Sequence, residues 1–189
     1  PRGVIAGPDP VRQGMQTKVF EGALGQIDKA YETVSKAATQ DIPLLHEARA
    51  MLDSGKVITG KGANLAVQLG GWLAQAGFKQ ANDPVSNTQA FMATQARQVL
   101  SIIKSLGSGS GISDADREYA AKIVGGDVTV TEDALRRLLD VSERAQRAAI
   151  KSHNGRVSKA ATVFGQPDLP SLYGVEEPSP YQGQAMGSA

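Results

Sequence analysis

The sequence predicts an all-α fold, a small bundle of five to six helices with extended N- and C-terminal arms. Three observations carry that expectation. Apolar residues recur at three- and four-residue steps along most of the chain. Asp, Ser or Thr ahead of Pro or acidic residues marks helix starts, and Gly marks helix ends. Strand-like alternation is confined to Val128-Thr129-Val130, too short to build a sheet.

The elements follow in order. Residues 1–14 hold Pro8, Pro10 and three glycines and read as an extended arm. From Met15 a helical stripe runs through Val19, Phe20, Leu24, Ile27, Tyr31, Val34 and Ala38. Gly22 and Gly25 weaken its first turns by roughly 1 kcal/mol each against Ala. Asp41-Ile42-Pro43 opens a second helix, with Pro43 near the first turn, where a missing N–H does no harm. It carries Leu44, Leu45, Ala48, Met51 and Leu52 and stops at Gly55. A third holds Leu65, Leu69, Trp72, Leu73 and Ala76 and closes at Gly77; the place of Trp72 on this apolar face predicts core packing. Asp83-Pro84 starts a fourth, with Phe91, Val99, Ile102, Ile103 and Leu106 on its inner side.

Gly107-Ser108-Gly109-Ser110-Gly111 then reads as a hinge. Ser113 caps a short fifth helix whose first turn carries Asp114 and Asp116 and whose inner face carries Tyr119, Ala120 and Ile123. For the last helix the cap is Thr129, spaced from Glu132 as a capping box, or equally Thr131. That helix extends to about Phe164, so residues 15–164 form the helical domain. Beyond it Gly165, Pro167, Pro170, Pro178, Pro180 and Gly183 exclude regular helix. Residues 165–189 are expected to be a linker, or an arm ordered only on a partner.

Composition excludes several classes. In 189 residues, 41% are hydrophobic and 5% aromatic, enough for a core built from Leu, Ile, Val and Ala. The formal net charge of +1 argues against a generally basic nucleic-acid binder, so electrostatic function must come from local clustering. The chain has no cysteine, hence no thiolate nucleophile and no cysteine-ligated metal. No apolar run approaches the ~20 residues that span a bilayer. The opening is too short and too broken by Gly and Pro for a signal peptide, and the start at Pro1 suggests trimming, processing or missing upstream sequence.

Each apparent chemical motif meets an obstacle. Gly55-Lys56-Val57-Ile58-Thr59-Gly60-Lys61-Gly62 has P-loop spacing, but a helix precedes it and Gly62 stands where a magnesium-binding Ser or Thr is needed. A connector between helices is expected there. Gly107-Ser108-Gly109-Ser110-Gly111 contains a Gly-x-Ser-x-Gly string, yet it follows a helix rather than a strand. His46 and His153 lack metal-ligand spacing and read as solvated. Glu21, Glu32, Glu47, Glu118 and Glu132 are candidate general acids for a cell-wall hydrolase, though surface charge or capping explains each. No cofactor or metal site is expected.

The last helix is rich in basic residues, but its first half pairs them. Asp133 with Arg137, Asp140 with Arg144 and Glu143 with Arg147 are i,i+4 pairs of the favourable orientation. Lys151, Arg156 and Lys159 remain as candidate phosphate contacts. The apolar residues Phe164, Leu169, Leu172, Tyr173 and Tyr181 are scattered through the Pro-rich tail. That pattern suits an arm docking into a groove on another chain.

From about Asp53 to Ile150 the chain also resembles uncharacterised virion-associated proteins of tailed bacteriophages and prophages. The resemblance rests on Leu52-Asp53-Ser54-Gly55, Ile58-Thr59-Gly60-Lys61-Gly62, Asn87-Thr88-Gln89-Ala90-Phe91, and the run Ile102 to Ala120. Within that run Ser113-Asp114-Ala115-Asp116-Arg117-Glu118-Tyr119-Ala120 is the most specific block, and Ile123-Val124-Gly125-Gly126-Asp127 closes it. The resemblance implies a structural, portal-associated, tail or ejection protein of the virion, made in the bacterial host cytoplasm. Its expected partners are other virion proteins and further copies of itself, with no catalytic residues to carry over. The alternatives are an ejected DNA-associated protein using the basic end of the last helix, and an accessory domain of a cell-wall hydrolase.

Overall fold

The computed structural model describes residues 10–54, 63–107 and 111–183. The chain is all-α. Its helices are α1 (Pro10–Lys36), α2 (Ile42–Asp53), α3 (Ala63–Gln75), α4 (Pro84–Leu106), α5 (Asp114–Gly125), α6 (Glu132–Phe164) and the single turn α7 (Leu169–Tyr173). Residues 1–9 of the expected N-terminal arm, the P-loop-like run at 55–62 and the centre of the expected hinge at 108–110 lie outside the described residues.

Helix α1 begins at Pro10, inside the segment expected as an arm. Nor does α2 start afresh at Asp41. The residues Ala37–Asp41 form a π turn joining α1 to α2 in one rod, with the Ile42 N–H donating to the Ala37 carbonyl five residues back. Pro43 explains the turn. It has no N–H for the Thr39 carbonyl, and its ring would crowd that oxygen in a regular helix; a widened preceding turn relieves both problems. Asp41 accordingly makes no capping bond.

The other predicted starts are capped. Asp83 accepts from the Ser86 N–H at 2.9 Å, Ser113 from Asp116 at 3.2 Å and Thr131 from Ala134 at 3.1 Å. Thr131, rather than Thr129, is therefore the cap of α6. Gly126 and Gly165 close α5 and α6 in the left-handed conformation that lacks a Cβ penalty only for glycine. Contrary to the expectation of no helix past Gly165, α7 forms with Pro170 in its first turn, where proline is tolerated.

Three apolar clusters hold the bundle. The largest joins α2, α3, α4, α5 and α6 through Leu45, Leu69, Phe91, Val99, Ile123 and Leu135, with Trp72 packed against its edge. A second gathers Val34, Ala38, Ile42 and Ile150 with Val175 of the tail. A third joins Ile27, Val157 and Ala160 to Leu169, with Phe20, Phe164 and Tyr173 around them. Val19, placed on the α1 stripe by its spacing, points instead to solvent at 62% exposure.

Helices α3 and α4 approach closely because Gly70 has no side chain; a Cβ there would collide with the Pro84 carbonyl. Asn87, 1% exposed, then bridges them. Its Nδ2 donates to the Gly70 and Phe78 carbonyls, and its Oδ1 accepts from the Gln80 and Ala81 N–H groups. Thr88 donates to the Ala66 carbonyl at 2.6 Å. The Asn87 bonds satisfy backbone groups of the connection at Phe78, Gln80 and Ala81, and those to Gly70 and Ala66 tie α4 to the body of α3.

Candidate functional site

The face shared by α2 and α6 carries the densest polar network among the described residues, and Glu143 is its centre. This carboxylate is 6% exposed. Its Oε1 accepts from His46 Nε2 at 2.9 Å and Arg147 Nε at 2.8 Å, while Arg49 Nη1 stands 3.0 Å from Oε2. Burial alone would raise the Glu143 pKa. The bonds from His46 and Arg147, with the charge of Arg49, outweigh it and hold the carboxyl below its ordinary value. A general acid needs the opposite shift. Arg49 also places Nη2 at 3.6 Å from Asp140, within ion-pair range but too long for a hydrogen bond, so that buried nitrogen has no bonding partner.

The tail crosses this face. Expected to be an arm awaiting a partner, it is seated on its own chain up to residue 183. Asn154 donates from Nδ2 to the Val175 carbonyl at 2.8 Å and accepts the Val175 N–H on Oδ1 at 2.9 Å. Arg147 donates to Glu177 Oε1 at 3.0 Å, the Pro178 carbonyl at 2.7 Å and the Ser179 carbonyl at 2.9 Å. The Tyr181 hydroxyl donates to Asp53 Oδ2 at 2.7 Å. Its ring lies 5.5 Å from that of His46 and 5.8 Å from the Arg49 guanidinium. Burial, the bond to Asp53 and the Asp53 charge push the Tyr181 pKa up to about 12. Asp53 is lowered by its bonds from Tyr181 and Arg136. Residues 174–183 are thus an extended strap. Pro178 and Pro180 favour that shape, and the groove grips chiefly the backbone.

The other tail candidates part company. Leu169 is buried, Phe164 packs at a tilt against Phe20 with ring centres 5.1 Å apart, and Tyr173 meets Tyr31 edge-on at 5.8 Å. These residues close the α1/α6 end of the bundle. Leu172 alone stays open, at 64% exposure. Among the cations, Arg156 and Lys159 line a 350 Å³ pocket with Gln26, Ile27 and Phe164, and the pocket's lining does not include Lys151. All three are exposed on α6, and Arg156 donates to Ser152 Oγ at 3.2 Å.

The expectation of solvated histidines fails at both positions. His153 is 2% exposed. Its contact to the Tyr173 carbonyl at 2.7 Å requires a proton on Nε2, which leaves Nδ1 without a partner. His46 belongs to the Glu143 network. Of the expected arginine pairs, Asp140–Arg144 and Glu143–Arg147 form, but Arg137 turns to Asp116 at 3.5 Å and lies over the Tyr119 ring at 4.2 Å. Arg136 bridges Glu132 and Asp53. Candidate acids Glu21, Glu32, Glu47 and Glu118 are exposed, and Glu132 is half-buried beside Arg136. Comparison with known protein families, with characterised proteins and with solved structures gives no match to this chain.

A shallow cleft lies over α6 between α1 and α4. Its two parts, about 300 and 120 Å³, share Thr33, Val34, Ser101, Ile102 and Ala149. His153 lines one part and Gln146 the other; Gln146 Oε1 is also buried without a partner. Among the described residues no three His, Asp or Glu side chains gather as a metal site, and no helix is long and apolar enough to cross a membrane.

Proposed function

We propose that this chain is a structural component of a tailed-phage particle that works by binding other virion proteins near the portal, the head–tail junction or the tail. The observation that carries the binding part is the α2/α6 groove. There Arg147, Asn154 and Asp53 hold an extended peptide, and the buried Glu143 carboxylate is held ionised by His46, Arg49 and Arg147. The virion part rests on the resemblance over residues 53–150. Surfaces that recognise backbone along an extended segment suit assemblies in which arms of one subunit lie on another.

Deleting residues 166–189 is the test. The shortened protein is expected to be missing from assembled particles while the full chain co-purifies with them. Normal incorporation of the shortened chain would remove the peptide groove and its strap from the account of assembly.

A further inference from the structure

The strap is recognised in a way that does not depend on being covalently attached nearby. Asn154 grips both polar atoms of the Val175 backbone, and Arg147 spans consecutive carbonyls at Pro178 and Ser179. Val175 is the strap's buried apolar anchor, seated among Val34, Ala38, Ile42 and Ile150. Charge is complementary at one point, where Glu177 pairs with Arg147 at 3.0 Å. Every side chain that hydrogen-bonds the strap lies on α2 or α6, while Val34 of α1 and Ala38 of the π turn complete the seat of Val175.

The connection has reach. Gly165 ends α6 in the left-handed conformation, and Pro167 follows it. Residues 166–183 fully extended would cover up to about 60 Å, at roughly 3.3 Å per residue, more than the ~50 Å length of α6. Opening at 165–167 would let the whole segment leave its own groove and meet an identical one. There Leu169, Val175 and Tyr181 would find the same pockets, so the closed and exchanged forms differ mainly at the hinge.

We propose that the groove takes segment 166–183 from a second copy of this chain, so that copies are linked by reciprocal strap exchange. The occupant is a second copy because this segment is the one peptide whose fit to the groove is on view. The inference deepens the assembly reading and rests on it only for its purpose. Its test uses purified protein, so exchange can fail while incorporation into particles holds, and the reverse.

The experiment is complementation in full-length chains. One variant disables the groove (Asn154→Ala) and the other the strap (Val175→Ala with Tyr181→Ala). Each is held near millimolar concentration, where a second copy competes with the effective concentration of a short tether, and then read by native mass spectrometry. With either half of a seat disabled that seat stays empty, so both homodimers lack a link. The heterodimer keeps one intact seat beside one disabled on both sides, and is expected roughly tenfold above either homodimer. Monomers throughout, or homodimers as abundant as the heterodimer, would overturn the proposal. Helicity checks that both variants fold. Should either not, light and isotope-labelled wild-type chains mixed at the same concentration must give mixed-mass dimers, and their absence overturns it equally.

Discussion

Replacing Glu143 by Ala removes one carboxylate and leaves three basic side chains facing each other. Removing one member of a buried ion pair costs about 3–5 kcal/mol, because the abandoned charges have lost their water. Here the side chains of His46, Arg49 and Arg147 are 20%, 17% and 18% exposed, so some solvent returns to them. The expected loss is therefore about 3 kcal/mol, at the low end of that range. For a chain of this length each kcal/mol moves Tm by roughly 2–4 °C, so Tm should fall by about 6–12 °C. Glu118→Ala is the control. Its carboxylate is 69% exposed and meets Lys122 one turn away, an arrangement worth about 0.5 kcal/mol or less. The acid limb adds a second readout. With its pKa below the ordinary 4.5, the Glu143 carboxylate contributes stability that is present above about pH 4.5 and lost as pH falls through the lowered value. Chemical denaturation followed by circular dichroism from pH 7 to 3 should show a shallower acid slope in Glu143→Ala, with Asp53 and Asp116, also lowered, retaining their part. A loss below about 1 kcal/mol, or an unchanged slope under pH 4.5, would refute the reading of this network.

Two further substitutions test the packing with opposite signs. Gly70→Ala should destabilise by about 3 kcal/mol, because the obstacle is Pro84 backbone rather than a movable side chain, while Gly71→Ala, with open space around it, should be neutral or gain up to about 1 kcal/mol in helix propensity. Equal melting temperatures for the two would refute the close α3/α4 contact. Ser142→Ala should be neutral or stabilising by up to about 1 kcal/mol, since the hydroxyl is buried with no partner; a clear drop in Tm would mean that it has one.

Local signals in the sequence were legible where the cause is local. Asp83, Ser113 and the acid-rich first turn of α6 predict helix starts because capping involves residues three apart. The stripe on α4 predicts the core because helical period alone decides which side chains share a face, and Phe91, Val99 and Ile103 are buried. Long-range electrostatics were not legible. Glu143 pairs with Arg147 one turn away, as spacing suggests, but its bond to His46 joins residues 97 apart in the chain, and its burial follows from that packing. The same holds for His153, whose single visible bond goes to a backbone carbonyl twenty residues on. Pro43 misled for a different reason. At a helix start and within a π turn it satisfies the same rule, a missing N–H where none is needed, and only the backbone distinguishes them.

The tail was misread for a reason that bears on what it does. Proline and glycine correctly exclude regular helix there, except for the turn at α7, but they do not exclude order. Six hydrogen bonds hold the strap and Val175 is its one fully buried side chain, whereas α6 is fastened by a dozen buried side chains. Opening is therefore easier at the strap than along α6, and on the exchange proposal the segment closes in cis when copies are scarce and in trans when they crowd together. Such a segment would keep a free subunit apart from its copies and let assembly itself supply the concentration that links them.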